Sequence, residues 1–338
     1  MVNSDGPLQK FAGVKLAGTG RALPTRAVSS AELDRLHGFD PGYLQSVTGV
    51  AKRYVCEAED QIELGRQAAV KALDAAGLRP QDLDMIICAS AVPYQPIPAT
   101  APAIQRALGI DDGTCFATDV NSTCLSFPVA LNFASGLLQG GVYNNILIVS
   151  SEIASRALPW KEAPAVAGLF GDGAAAAVLK RDDKAGIVAS RFTTLSSGFE
   201  ACGLASGGTR FDFHKEFELF SKHSLFMMDG KELFRLTARD FGAFVDRLLA
   251  TADTGKDEID RVIAHQASPG ALAHMTRLCA FRQEQVIDIS AEVGNQVAAS
   301  IPFVLDYAFE HDLVREGDRI MMLGTSAGVS FGGLVMDL

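Results

Sequence analysis

The chain carries the same pattern twice. "LDMIICAS" (83–90) and "IDRVIAHQ" (259–266) are short apolar segments, and each follows an amphipathic run, "GRQAAVKALDAAGL" (65–78) and "ARDFGAFVDRLLATA" (238–252). "CFATDV" (115–120) pairs with "QVIDIS" (285–290), "LSFPVAL" (125–131) with "ASIPFVL" (299–305), and "NNILIVSSE" (144–152) with "GDRIMMLGTS" (317–326). The pairs keep one order and a nearly constant offset of roughly 170 to 176 positions, the mark of a duplication. Amphipathic helices alternating with apolar strands that show little alternation predict an α/β fold whose strands are buried on both faces. The expected division is 1–180 and 181–338, with the boundary in the charged turn "KRDDKAG" (180–186). Segment 191–230 reads as an irregular Gly- and Phe-rich insertion, of a kind that often covers a site.

Composition narrows the function classes. With 338 residues, 48% hydrophobic and 21% charged, the chain can bury a deep core. A formal net charge of −10, with no Lys/Arg run, argues against a nucleic-acid partner. No apolar stretch reaches the ~18 residues of a membrane span. The start, "MVNSDGPLQKFAG", lacks the basic and apolar regions of a signal peptide. A soluble, cytoplasmic protein is expected. Cys56, Cys88, Cys115, Cys124, Cys202 and Cys279 show no CxxC spacing, and the histidines are scattered. Free thiols and no metal site are therefore expected. "LAGTGRALP" (16–24) lacks the third glycine of a nucleotide loop and reads as a turn.

Cys124 stands apart. Pro128 is tolerated only in the first turn of a helix, and Asn121, Ser122 and Thr123 are cap and turn residues. Cys124 is thus placed at a helix N-terminus, where unpaired N–H groups lower a thiol pKa and favour a nucleophilic thiolate. The alternative is a structural cysteine in a first turn. The duplication adds an asymmetry, because the counterpart of Cys124 is Ala298. The second half instead offers His265 at a strand end and Asn295 in "EVGNQVAAS". Strand ends are where open α/β sheets place ligands. Alone, such a histidine is as compatible with a structural role, and such an asparagine with an ordinary turn.

Taken together, Cys124, "AHQAS" with His265 and "VGNQVAASIP" with Asn295 resemble the β-ketoacyl-acyl-carrier-protein synthase III family of thiolase-like condensing enzymes. "TGVAKRYV" (48–55), "LFGDGAAAAVL" (169–179), "MMDGKELFR" (227–235) and "GTSAGVSFGG" (324–333) fall in the family's order. The resemblance implies a five-layered αβαβα fold from two duplicated halves, a homodimer, no cofactor, and a Cys124–His265–Asn295 triad. It implies that Cys124 takes an acyl group from acyl-CoA. His265 and Asn295 then stabilise the enolate of a malonyl-type thioester, delivered by acyl carrier protein, as carbon dioxide leaves. The backbone N–H groups of Cys124 and Ala327 would form the oxyanion hole, and "FGDGAAAA" would be structural packing.

The sequence also departs from that family. "YLQSVTGV" keeps Tyr43 to stack on the CoA adenine, but Val47 replaces the family's arginine. Ser268, Pro269 and Gly270 stand where the family has Asn-Leu-Arg, while Arg235 and Arg277 match basic positions of the carrier-docking face. Ile97 falls on the position that closes the partner's acyl tunnel, or is ordinary dimer packing. Three other readings stand beside the synthase: an acyltransferase of this fold that acts on oxygen or nitrogen or joins two acyl chains, a non-catalytic partner subunit, and a cysteine hydrolase. The retained Cys124 opposes the second, and the duplication opposes the third.

Overall fold

The structure, a computed structural model, describes residues 9–338. The signal-peptide reading falls partly on residues 1–8, outside the described residues. Eight strands form one hydrogen-bonded sheet: β1 Gln9–Ala22, β2 Met85–Cys88, β3 Phe116–Asp119, β4 Asn145–Glu152, β5 Gly173–Thr194, β6 Arg261–Ala264, β7 Arg319–Ser326 and β8 Ser330–Asp337. β5 is shared by both halves. Its residues 173–180 pair with β4, and its residues 186–194 pair with β8. The order in the first half is β3-β2-β4-β5-β1, and in the second Val286-β6-β7-β8-β5. One succession of pairings therefore occurs twice.

The central helices are α1 Gln61–Ala76, α2 Ser126–Gln139, α3 Gly230–Ala252, α4 Pro269–Leu278 and α5 Ser300–Glu310. Strand alternation sorts side chains into layers. Ile146 and Ile148 of β4, and Ile320 and Met322 of β7, point into a central core with Phe127 and Leu131 of α2 and Val304 and Leu305 of α5. Leu147 and Val149 face outward onto Leu64, Ala68 and Ala72 of α1. Met321 and Leu323 face the other way, onto Phe244 and Leu248 of α3. Helix, sheet, paired helices, sheet and helix give the five-layered αβαβα fold. Both faces of β2, β4, β6 and β7 are buried, whereas the edge strand β3 is partly exposed, and each buried aliphatic side chain contributes about 1.5–3 kcal/mol.

Several local expectations are corrected. "KRDDKAG" does not reverse the chain: it lies inside β5, where residues 182–185 bulge from the ladder and Asp182 Oδ1 accepts from the N–H groups of Lys184 at 2.7 Å and Ala185 at 2.9 Å. The expected strand 285–290 is reduced to one bridge, Val262 with Val286. Gln266 occupies the would-be ladder groups, donating to the Ile287 carbonyl at 3.1 Å and accepting from the Ile289 N–H at 2.9 Å. "LAGTGRA" is strand, not turn, because Gly18 and Gly20 let α1 approach so closely that a Cβ would meet the Ala72 and Ala68 carbonyls. The insertion is narrower than 191–230, since β5 continues to Thr194 and α3 begins at Gly230, capped by the Asp229 carboxylate.

Candidate active site

Two equivalent turns start α2 and α5. Asn121 Oδ1 accepts from the Thr123 N–H at 2.9 Å, and Asn295 Oδ1 accepts from the Val297 N–H at 2.8 Å. Ser126 Oγ accepts from the Ser122 N–H at 2.9 Å, and Ser300 Oγ accepts from the Gln296 N–H at 3.1 Å. Thr123 and Val297 both hold left-handed backbone, with φ of 53° and 50°. A β-branched residue adopts that conformation only when its surroundings enforce it, a strain that recurs at functional sites. The next residue is Cys124 in one turn and Ala298, fully buried, in the other. The two turns pack against each other.

Cys124 sits in the single turn Thr123–Leu125 directly before α2, as its proline implied. The expected lowering of its thiol pKa is corrected. Burial pushes the thiol up, with further upward contributions from Cys202 and Glu152, and the nearby backbone N–H only partly offsets this. Desolvation of a thiolate outweighs the helix terminus here. At rest Cys124 is therefore held as the neutral thiol.

His265 directly follows β6, and its N–H donates to the Leu323 carbonyl of β7 at 2.8 Å. The residue is 8% exposed, and its buried Nδ1 has no hydrogen-bond partner among the described residues. Burial lowers its pKa to about 4, so the ring is neutral at pH 7. Asn295 is also 8% exposed; its Oδ1 is engaged within the turn, and no partner of its Nδ2 is seen among the described residues. Gly324 joins these parts. A Cβ there would lie 3.0 Å from the Leu125 side chain, 3.1 Å from His265 Cβ and 3.5 Å from Ile301. Ala327 follows β7 in the turn to β8. Cys124, His265, Asn295 and Ala327 therefore gather where the two halves meet.

The other predicted residues lie apart. Tyr43 packs at 5.4 Å from Phe39 in a small cluster with Trp160, which itself stacks on His37 at 4.3 Å. Ile97 is 87% exposed on the loop before the helix Ala101–Ala107. Arg235 is not a free docking cation: Glu232, one turn earlier on α3, pairs with it at 2.5 Å. Arg277 is exposed in the last turn of α4. The insertion does approach the site, since Phe226 packs on Phe170 at 5.1 Å and Phe170 bridges to Asn295. "FGDG" is structural as expected: Asp172, fully buried, accepts from the Cys56 N–H at 2.8 Å and Ser155 Oγ at 2.7 Å.

From the sequence, Asn121 is expected only as a turn residue, and Glu152 is not expected at all. Asn121 is the counterpart of Asn295 at the offset that pairs Cys124 with Ala298, so the repeat could have shown it. Glu152, at the end of β4, gave no local signal; its burial at 1% exposure comes from packing between the halves.

The turns of Cys124 and Asn295 pack against each other where duplicated αβ halves meet, next to the strand end that carries a neutral histidine, and the fold is that of the thiolase-like enzymes. The family model for 3-oxoacyl-[acyl-carrier-protein] synthase III matches residues 118–196, and its C-terminal companion matches residues 249–338. The β-ketoacyl-[acyl-carrier-protein] synthase III of Synechocystis sp. is 32% identical over 326 residues, covering 96% of this chain and 98% of that protein. That of Rhizorhabdus wittichii is 33% identical over 318 residues, covering 93% and 96%. The crystal structure of the Aquifex aeolicus 3-oxoacyl-[acyl-carrier-protein] synthase III superposes with a TM-score of 0.87 at 28% identity, covering 96% of this chain and all of that one. The chain belongs to the 3-oxoacyl-[acyl-carrier-protein] synthase III family and is an acyltransferase of the condensing type. No helix among the described residues is long and apolar enough to cross a membrane.

Proposed function

We propose that the enzyme condenses an acyl group with a malonyl-type thioester in two stages on Cys124. In the first, Cys124 Sγ attacks the carbonyl of an acyl-CoA. The thiol proton passes to the neutral His265 ring, the carbonyl oxygen draws on the N–H groups of Cys124 and Ala327, and CoA leaves as its thiol once that proton is returned. In the second, the malonyl group enters on acyl carrier protein. His265 and the Asn295 amide donate hydrogen bonds to its thioester oxygen. The bond to the carboxylate breaks, carbon dioxide departs, and the electron pair forms an enolate. The enolate carbon attacks the acyl-cysteine, the carbon–sulfur bond breaks, a 3-oxoacyl thioester is released, and the departing Cys124 thiolate takes up a proton from solvent to restore the thiol. Donors aimed at the developing oxyanion supply a few kcal/mol each.

The observation that carries this reading is the contrast within the duplication. One turn presents a thiol, and the other presents an asparagine whose Nδ2 is uncommitted beside a neutral histidine. A hydrolase has no need for two such donors at a second thioester. The reading includes a cytoplasmic homodimer divided at 180/181, with Ile97 reaching the partner's acyl tunnel, Tyr43 against CoA, and Arg235 and Arg277 on the carrier face. The exposure of Ile97 favours the dimer, whereas the Glu232 pair weakens the part given to Arg235.

Intact-mass analysis after incubation with a panel of acyl-CoAs is the test. A covalent acyl adduct that persists until malonyl thioester is added, and then yields a 3-oxoacyl product, is expected. Rapid release of free acid with no malonyl thioester present would instead make the protein a hydrolase.

A further inference from the structure

Glu152 ends β4 with its side chain enclosed, 1% exposed, and among the described residues no ion pair with it is seen. Backbone N–H groups hold it instead. Ala91 donates to Oε1 at 2.5 Å, and the N–H groups of Val92 and Ala298 also favour its charged form. The Ala91 peptide is gripped from both ends, because Asn121 Nδ2 donates to its carbonyl at 2.8 Å. Asn121 Oδ1 in turn accepts from the Thr123 N–H at 2.9 Å. A continuous run of hydrogen bonds therefore leads from Glu152 through Ala91 and Asn121 to the residue before the nucleophile. On its other side is Ala298, the counterpart of Cys124 in the turn of Asn295.

The titratable groups around Glu152 are Cys88 at the end of β2, Cys124 before α2, and Asp172 just before β5. Burial pushes the Glu152 carboxyl up to about 8, and Asp172 adds to this. Glu152 in turn contributes to the upward shifts of Cys88 and Cys124. Two acids that share one buried region titrate as a coupled system.

We propose that Glu152 is a positioning residue whose carboxyl group joins the turn of Cys124 to the turn of Asn295 and sets the field in which the Cys124 thiol loses its proton. The inference rests on Cys124 being the nucleophile. The mechanism above assigns Glu152 no contact with substrate. It acts through the placement of both turns and through its charge.

The test is the rate of iodoacetamide alkylation from about pH 6 to about pH 10, with the labelled site assigned by peptide mass spectrometry. It uses full-length wild type, Glu152→Gln and Glu152→Ala. The wild-type rate for Cys124 climbs with pH throughout this window and bends near pH 8, where Glu152 ionises. Glu152→Gln keeps an oxygen to accept from Ala91 but removes the charge, so acylation by acyl-CoA stays within a few-fold of wild type. Its alkylation rate stays near wild type around neutrality, where the wild-type carboxyl is mostly protonated, and rises several-fold above about pH 8, where the wild-type carboxyl is charged. Glu152→Ala shows the same profile change but loses acylation by on the order of 10-fold or more, because the turn is no longer held. An unmoved profile in Glu152→Gln, or equal damage to acylation in both variants, overturns the proposal. If neither variant folds, the wild-type profile decides, and a climb with pH that shows no bend near pH 8 overturns it. Primary labelling at another cysteine overturns the nucleophile assignment itself, which the mass spectrum makes distinguishable.

Discussion

The turn before α2 and the turn before α5 share a backbone and differ in what they leave free. Both use an asparagine Oδ1 to cap the second following N–H, a serine Oγ to close the turn, and a left-handed β-branched residue. In the first, the Asn121 amide is committed to the Ala91 carbonyl, and the reactive atom is the Cys124 thiol. In the second, the thiol is replaced by the buried Ala298 methyl, and the asparagine Nδ2 is the uncommitted polar group. A duplicated fold thus supplies two copies of one strained turn. Divergence left a thiol on one and an uncommitted amide on the other, and in the proposed mechanism these serve as nucleophile and donor.

The largest expected effect comes from erasing the nucleophile. Cys124→Ser should lower acyl transfer by on the order of 10³ or more, because a serine hydroxyl is far less acidic than a thiol. Its circular dichroism should match wild type. Full activity in this variant, or first alkylation at Cys56 or Cys202, would remove Cys124 from the mechanism.

Next come the donors. His265→Ala and Asn295→Ala should each lower condensation by on the order of 10² or more and acylation of Cys124 by less. Asn121→Ala is the control that sharpens the comparison. It should disturb acylation more than the donors do, because it loosens the nucleophile's turn. Single-turnover measurements of the two half-reactions separate these outcomes. Equal damage to both half-reactions in every variant would erase the division of labour.

A smaller effect is expected from acid. His265 has a folded pKa of about 4, depressed from 6.5 by burial. The unfolded chain therefore takes up this proton first as pH falls. The stability tied to the neutral ring is intact above about pH 6.5 and lost progressively towards pH 4, about 2 kcal/mol of it by pH 5. Denaturant midpoints of wild type and His265→Phe should converge or cross over that window. Parallel curves would mean that His265 is not buried as a neutral ring.

The smallest effect concerns Ile97, one of several exposed apolar residues and the one proposed to reach a partner's tunnel. Ile97→Phe should shift acyl preference towards shorter chains by several-fold per carbon, since each excluded methylene costs roughly 1 kcal/mol. An unchanged chain-length profile in an intact dimer would place the end of the tunnel elsewhere.

The sequence alone determined the duplication, the order of the central helices and most of the strands between them, the placement of Cys124 at a helix start and its partnership with Ala298. These are properties of local periodicity, proline chemistry and a repeated offset, which survive in one dimension. The tertiary structure decided the rest. It made "KRDDKAG" a bulge within one strand shared by both halves, because β4 and β8 claim its two ends. It reduced 285–290 to a single bridge, because the side chain of Gln266, from another strand end, took the backbone groups. It reversed the expected shift at Cys124, because desolvation depends on everything packed around a sulfur and not on the few residues beside it. It enclosed Glu152 between the turns, since burial of a charge is set by both halves closing on it, a fact no single stretch of either half contains.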